Sequence, residues 1–209
     1  MKIVKEIGFD EAGLWRKFKS GSQDALGIIF QHYFRELYYY GLKIIPVSDI
    51  VKDVIQEMFV QLWGRRATLG IVKNIKAYLL VTLRRELIRT LKNAKSELLD
   101  EGMKINGFII STEDFIIESE DRVEFNEKLA ASIQSLTARQ REVIFLRFYN
   151  NLDFPELAEV LGMNVQSVRN LLFRSLEKIR EGLRGLGLHK TDNLEIILFH
   201  LFSKNHKIL

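Results

Sequence analysis

The sequence predicts an all-α protein of two small helical domains joined by a flexible acidic linker. Three observations carry this. Apolar residues recur at helical spacing almost throughout, and the 209 residues include only two prolines. Val51, Val54, Ile55, Met58, Phe59, Leu62 and Trp63 fall at i, i+3, i+4, i+7, i+8, i+11 and i+12, one continuous apolar stripe along a helix. Between Glu97 and Glu124 the composition then turns acidic, with nine acidic residues against two basic ones, and Gly102 and Gly107 interrupt any helix there.

The elements follow in order. Phe9 to Lys19 reads as a short helix, and Ser22 in the following "SGSQ" is a candidate cap for the next one. That helix, from Asp24 to about Ile45, is rich in aromatic residues (Phe30, Tyr33, Phe34, Tyr38, Tyr39, Tyr40), which are assigned to core with the tyrosine hydroxyls reaching the surface. Pro46 ends it, because proline lacks the amide hydrogen and disfavours helix at the residue before it. "SDIVKDVIQEMFVQLW" carries the stripe, with Asp53, Gln56 and Glu57 on a separate polar face. A loop with two glycines, 64–74, leads to "NIKAYLLVTLRRELIRTLKNAK". The apolar first half of this helix runs into a basic second half, Arg84, Arg85, Arg89, Lys92 and Lys95 against a single Glu86.

These patterns place a first domain at 1–95, an acidic linker at 96–120 and a second domain at 121–189. The second domain holds helical patterns at about 121–134, 138–149, 153–160 and 165–184, and a tail, 190–209, has room for one short helix. The tail's apolar run Ile196, Ile197, Leu198, Phe199 is expected to be buried in protein rather than inserted in membrane.

Composition excludes several classes of function. At 47% hydrophobic the chain has enough apolar surface for a buried core. With no cysteine it forms no disulfide or thiolate metal site. Lys5, Glu6 and Asp10 break the apolar run at the amino terminus, so no signal peptide is expected, and no stretch of about 20 apolar residues predicts a transmembrane helix. The expectation is a cytoplasmic protein without direct membrane insertion. The four histidines lack metal-ligand spacing, and there is no phosphate-binding glycine loop or nucleophile elbow. No catalytic residue, metal, cofactor or small-molecule substrate is therefore expected.

The stretch "NLDFPELAEVLGMNVQSVRNLLFRSLEKIR" has helix-turn-helix spacing. Leu157, Ala158 and Leu161 pack the short helix, and Gly162 permits the sharp turn. Val165, Val168, Leu172, Ile179 and Leu183 mark the buried face of the long helix. Opposite lie Gln166, Arg169, Asn170, Phe173 and Glu177, with Arg174 beside them. In such a motif the second helix enters the DNA major groove, where arginine reads guanine, asparagine reads adenine and phenylalanine meets a thymine methyl. Arg147, on the preceding helix, is placed to reach a phosphate. Spacing alone leaves open an ordinary helical hairpin with a solvated face. The basic helix end from Arg84 suits phosphate contacts or a favourable helix dipole equally well.

The order "DVIQEMFVQLW", "AYLLVTLRRELIRTLKNAK", an acidic linker and "LTARQREVIFLRFYNNLDFPELAEVLGMNVQSVRNLLFRSLEKIR" resembles an extracytoplasmic-function (ECF) RNA polymerase sigma factor over roughly 10–184. The last piece alone also resembles the output domains of other bacterial regulators, which act without serving as a polymerase specificity subunit. The upstream motif at the expected distance separates the two. The resemblance implies that Asp53, Gln56, Glu57 and Phe59 dock on core RNA polymerase, and that the loop 64–74 captures a flipped base of the melted downstream promoter element. It implies that the helix carrying Arg84, Arg85, Arg89 and Lys92 contacts that element's duplex edge. Arg147, Arg169, Asn170, Phe173 and Arg174 match positions that read the upstream element. It further implies an acidic linker threading the polymerase and an anti-sigma factor as partner. The chain departs from the family pattern at Arg85 and Arg89, where asparagine and aspartate are common, and at Leu171, where arginine is common.

Overall fold

The computed structural model describes residues 10–98, 107–111, 114, 123–184 and 194–205. The expected start of the first helix at Phe9, most of the acidic stretch and the glycine-rich segment after Arg184 lie outside the described residues. The chain divides into two compact units, Met1–Met103 and Lys104–Leu209. Among the described residues all regular structure is helical.

The first unit packs α1 (Glu11–Lys19), α2 (Gln23–Ile44), α3 (Ser48–Arg65) and α4 (Ile75–Leu98) around one core. Asp10 caps α1 by accepting from the Gly13 amide at 2.8 Å, and Ser22 caps α2 by accepting from Ala25 at 3.2 Å. These side chains satisfy amides that have no partner inside the helix. α2 stops at Ile44, and Ile45, the residue before Pro46, is extended (φ −125°, ψ 106°). The stripe of α3 supplies Val51, Ile55, Met58, Phe59 and Leu62 to a core that Leu79, Leu80, Leu83 and Leu87 of α4 and Tyr33, Leu37 and Tyr40 of α2 also enter, the three helices packing on one another. Tyr33 and Tyr40 are fully buried. The other aromatics of α2 are half-buried, and Tyr38 Oη donates to Ser48 Oγ at 3.0 Å at the α2–α3 junction. Gly41 lets these two helices cross closely, since a Cβ there would lie 2.5 Å from Val51 Cγ1.

The second unit packs α5 (Val123–Gln134), α6 (Ala138–Phe148), α7 (Phe154–Leu161), α8 (Val165–Gly182) and α9 (Leu194–Asn205). α6 is the hub. Val143, Ile144, Phe145 and Leu146 are completely buried, and α6 touches α7, α8 and α9. Thr137 and Gln140 form a capping box at its start. The tail helix α9 sends Leu198 and Phe202 into this core, with the Phe202 ring edge-on to Phe145 at 6.3 Å. Of the tail's apolar run, Leu198 is buried and Ile196 is half exposed.

The sequence reads 96–120 as linker, whereas its described part belongs to folded structure. α4 continues to Leu98. Phe108 and Ile110 are buried in the second unit, and Arg141 of α6 donates from Nε to the Phe108 carbonyl at 2.7 Å. Gln134 Nε2 donates to the Ile110 carbonyl at 2.9 Å. Apolar Phe108, Ile109 and Ile110 form an island within the acidic stretch, and hydrophobic burial holds that island to the unit.

Candidate nucleic-acid and protein interfaces

In the first unit the periodicity of α3 divides the predicted docking residues. Asp53, Gln56 and Glu57 are exposed along one side, and Glu57 Oε1 accepts from Gln61 Nε2 at 3.0 Å. Phe59 does not share that surface. It is 6% exposed and meets the Phe30 ring edge-on at 5.1 Å, because it belongs to the apolar stripe rather than the polar face. Its contribution to the face is support from beneath.

α4 lies beside α3, and the two enclose a cleft of about 210 Å³ lined by Asp53, Val54, Glu57, Met58, Glu86, Arg89 and Thr90. The acidic side of α3 and the basic side of α4 thus meet across one groove. Arg85, Arg89 and Lys92 are exposed, Arg84 is half-buried, and Arg89 Nη2 pairs with Glu86 at 2.9 Å. This pair is solvated on the arginine side, so its charge remains available to a phosphate.

The connection between α3 and α4 is fastened to α1 at its middle and at the start of α4. Trp15 Nε1 donates to the Gly70 carbonyl at 3.0 Å, and Glu11 Oε2 accepts from the Ile75 amide at 3.0 Å. Arg65 extends α3 into the predicted loop, a 3-10 turn follows at Arg66–Thr68, and the Arg66 guanidinium lies over the Trp63 ring at 4.1 Å. Ile71, between the two fastenings, is 94% exposed. Sequence periodicity missed Glu11 and Trp15 as loop anchors, since each bonds a residue more than fifty positions away.

In the second unit α7 and α8 form the helix-turn-helix. Asp153 and Glu156 make a capping box at the start of α7. α7 ends in Gly162 (φ 62°, ψ 42°), a left-handed conformation that suits glycine, and the Met163 amide closes the turn on the Ala158 carbonyl at 2.9 Å. Asn164 then caps α8 by accepting from Ser167 at 2.7 Å. Val168, Leu172, Ser175, Leu176 and Ile179 face inward. Arg169, Asn170, Phe173 and Arg174 all lie on the exposed side, Phe173 at 64% exposure, and Gln166 Nε2 donates to Asn170 Oδ1 at 3.1 Å. An apolar ring, two guanidiniums and two amides therefore share one helix face.

Arg147 is half-buried rather than extended into solvent. Its Nη1 donates to the Leu152 carbonyl at 2.8 Å and its guanidinium lies 5.5 Å from the Phe154 ring. Arg169 lies over that same ring at 5.2 Å. Phe154, a residue the sequence pattern does not single out, joins the two arginines. Among the described residues no cluster of histidine, cysteine or carboxylates is arranged to hold a metal, and no helix is long and apolar enough to cross a membrane.

The family description "Sigma-70 region 2" matches residues 29–97, and "Sigma-70, region 4" matches residues 126–179. Together the two matches span more than half of the chain. The curated relatives include ECF RNA polymerase sigma factors. BldN of Streptomyces coelicolor is 25% identical over 170 residues, covering 79% of this chain and 63% of BldN. This chain belongs to the ECF sigma factors.

Two further ECF sigma factors match over nearly their whole length. SigK of Mycobacterium ulcerans is 20% identical over 85% of this chain and 91% of its own, and SigW of Bacillus subtilis is 23% identical over 82% and 95%. Solved structures share the fold. CnrH, in complex with the cytosolic domain of CnrY, aligns with a TM-score of 0.56 at 22% identity, covering 82% of this chain and 96% of its own. The sigma factor RpoE, in complex with the anti-sigma factor NepR from Bartonella quintana, aligns at 0.55 and 19% identity, covering 78% and 99%. Within this sigma factor, region 2 ends one residue before α4 does, region 4 takes in α6 and α7 whole, and α9 lies beyond both matches.

Proposed function

We propose that the chain is a specificity subunit of bacterial RNA polymerase: it binds core enzyme, recognises a promoter with both units and assists DNA opening. The observation that carries this reading is the pairing of regions 2 and 4, in that order, in one chain with two exposed and chemically distinct faces. A stand-alone regulator needs the second face only.

The parts then have physical roles. Asp53, Gln56 and Glu57 offer a polar face to core RNA polymerase, with Phe59 fixing its backing. Arg84, Arg85, Arg89 and Lys92 neutralise phosphate, which releases condensed counterions and makes binding salt-dependent. The loop with Ile71 at its exposed turn meets the unpaired strand. Arg169, Asn170, Phe173 and Arg174 enter the major groove of the upstream element. The sigma factor carries no catalytic step of its own, since bond formation belongs to polymerase, and it works in the cytoplasm where polymerase and chromosome are. An anti-sigma factor is the expected inhibitory partner, a reading supported by the RpoE–NepR complex among its structural relatives.

Size-exclusion co-elution with cognate core RNA polymerase tests the reading. Wild-type chain should travel with core, and the Asp53→Arg, Glu57→Arg variant should not. A folded wild type that never co-elutes would leave the helix-turn-helix as that of a stand-alone regulator.

A further inference from the structure

We infer that Phe154 is a positioning residue for promoter recognition: its ring holds the Arg169 guanidinium at the amino-terminal end of α8, and Arg147 braces that ring from α6. This rests on the reading of α8 as the element that enters the major groove.

The geometry is a three-residue relay across three helices. Arg147 sits in α6, Phe154 is the first residue of α7, and Arg169 lies in the second turn of α8. Both guanidinium carbons lie over the Phe154 ring, at 5.5 Å and 5.2 Å. These distances are within cation–π range, and a planar guanidinium also stacks well on an aromatic face. Arg147 is tied to the turn it precedes, because its Nη1 donates to the Leu152 carbonyl at 2.8 Å, closing the connection from α6 to α7. Phe154 is in turn fixed by the Asp153–Glu156 capping box, which sets the entry of α7. Arg169 is exposed, so without the ring its long side chain would sample many rotamers. With the ring, part of that ordering has already occurred before DNA arrives. The relay also reassigns Arg147. Its contribution is to hold the turn and the ring, and a phosphate contact by its remaining N–H groups is secondary.

The test uses full-length chain assembled with cognate core RNA polymerase and a duplex promoter library randomised in the upstream element. Five chains are compared: wild type, Phe154→Leu, Arg169→Ala, the Phe154→Leu, Arg169→Ala double variant, and Phe154→Tyr as the conservative replacement that keeps the ring. Phe154→Leu should weaken upstream-element binding about two- to five-fold, the size of an exposed cation–π contact. It should relax the same base position that Arg169→Ala relaxes, and have no added effect once Arg169 is gone. Phe154→Tyr should behave as wild type, with unchanged thermal melting. Equal losses from Phe154→Leu with and without Arg169 would overturn the positioning role and leave Phe154 as core packing. So would a loss that tracks a lowered melting temperature in both ring variants. A silent Arg169→Ala, with core binding intact, would instead remove α8's Arg169 from promoter reading, and the inference with it.

Discussion

Arg141 Nε donates to the main-chain carbonyl of Phe108 at 2.7 Å, and its Nη1 reaches the carbonyls of Leu136 at 2.7 Å and Gln134 at 3.2 Å. One guanidinium thereby ties the apolar island of the acidic stretch to the end of α5 and the start of α6. Burial lowers its pKa from the ordinary value, the desolvation cost of placing the charge there. Arg141→Leu should strand these carbonyls and destabilise the second unit by about 2–3 kcal/mol, read by urea unfolding. Arg141→Lys should recover only part, because an ammonium cannot span the three acceptors in one plane.

The two classes of residue on α3 predict opposite phenotypes. Asp53→Arg with Glu57→Arg should abolish co-elution with core polymerase while leaving thermal melting within about 0.5 kcal/mol of wild type, as expected for surface changes. Phe59→Ala removes a buried ring packed on Phe30 and should cost about 3–5 kcal/mol of stability. Loss of polymerase binding in that variant would follow from unfolding. Circular dichroism separates the two cases.

On α8, Arg174→Ala and Asn170→Ala should each weaken promoter binding by holoenzyme by about 1–3 kcal/mol, with helicity unchanged. A base-reading residue relaxes specificity at one position. A phosphate-contacting residue weakens all sequences alike and lowers the salt slope by about one. Titrating binding against salt for both variants assigns each side chain its role.

Phe202 of α9 is fully buried against Phe145. Phe202→Ala should destabilise the second unit by about 3–5 kcal/mol in chemical denaturation. A variant as stable as wild type would show that α9 is dispensable to that core.

Gly41 and Val51 form a complementary pair at the α2–α3 crossing. Gly41→Ala places a methyl 2.5 Å from Val51 Cγ1 and should cost about 1–3 kcal/mol through overpacking. Adding Val51→Ala should return part of that loss, a coupling measurable in a double-mutant cycle.

Local chemistry was legible in the sequence because it acts within a few residues. Ser22 as a cap, Pro46 as a stop, the α3 stripe, the Gly162 turn and the exposed side of α8 depend on spacings of three and four positions or on one residue's backbone preferences. Those spacings fix which residues share a face, so Asp53, Gln56 and Glu57 lie together, as do Arg169, Asn170, Phe173 and Arg174. Motif order was legible through resemblance to a known family, which implied a docking role for the α3 pattern upstream of the helix-turn-helix.

What the sequence by itself determined was therefore the helices, their caps and the membership of each face. Tertiary structure alone decided what those faces rest on. Arg141 finds Phe108 thirty-three residues away, Trp15 finds Gly70 across fifty-five, and Arg147 and Arg169 converge on one ring from different helices. Helical periodicity repeats every 3.6 residues and carries no information about which distant carbonyl or ring a side chain will meet. Phe59 shows the same limit: it belongs both to an apolar stripe and to the segment that the family resemblance assigns to docking, and its packing against Phe30 places it in the core. The acidic stretch reads as linker by charge, yet Phe108 and Ile110 within it are buried, because a short apolar segment follows the nearest hydrophobic surface that can cover it.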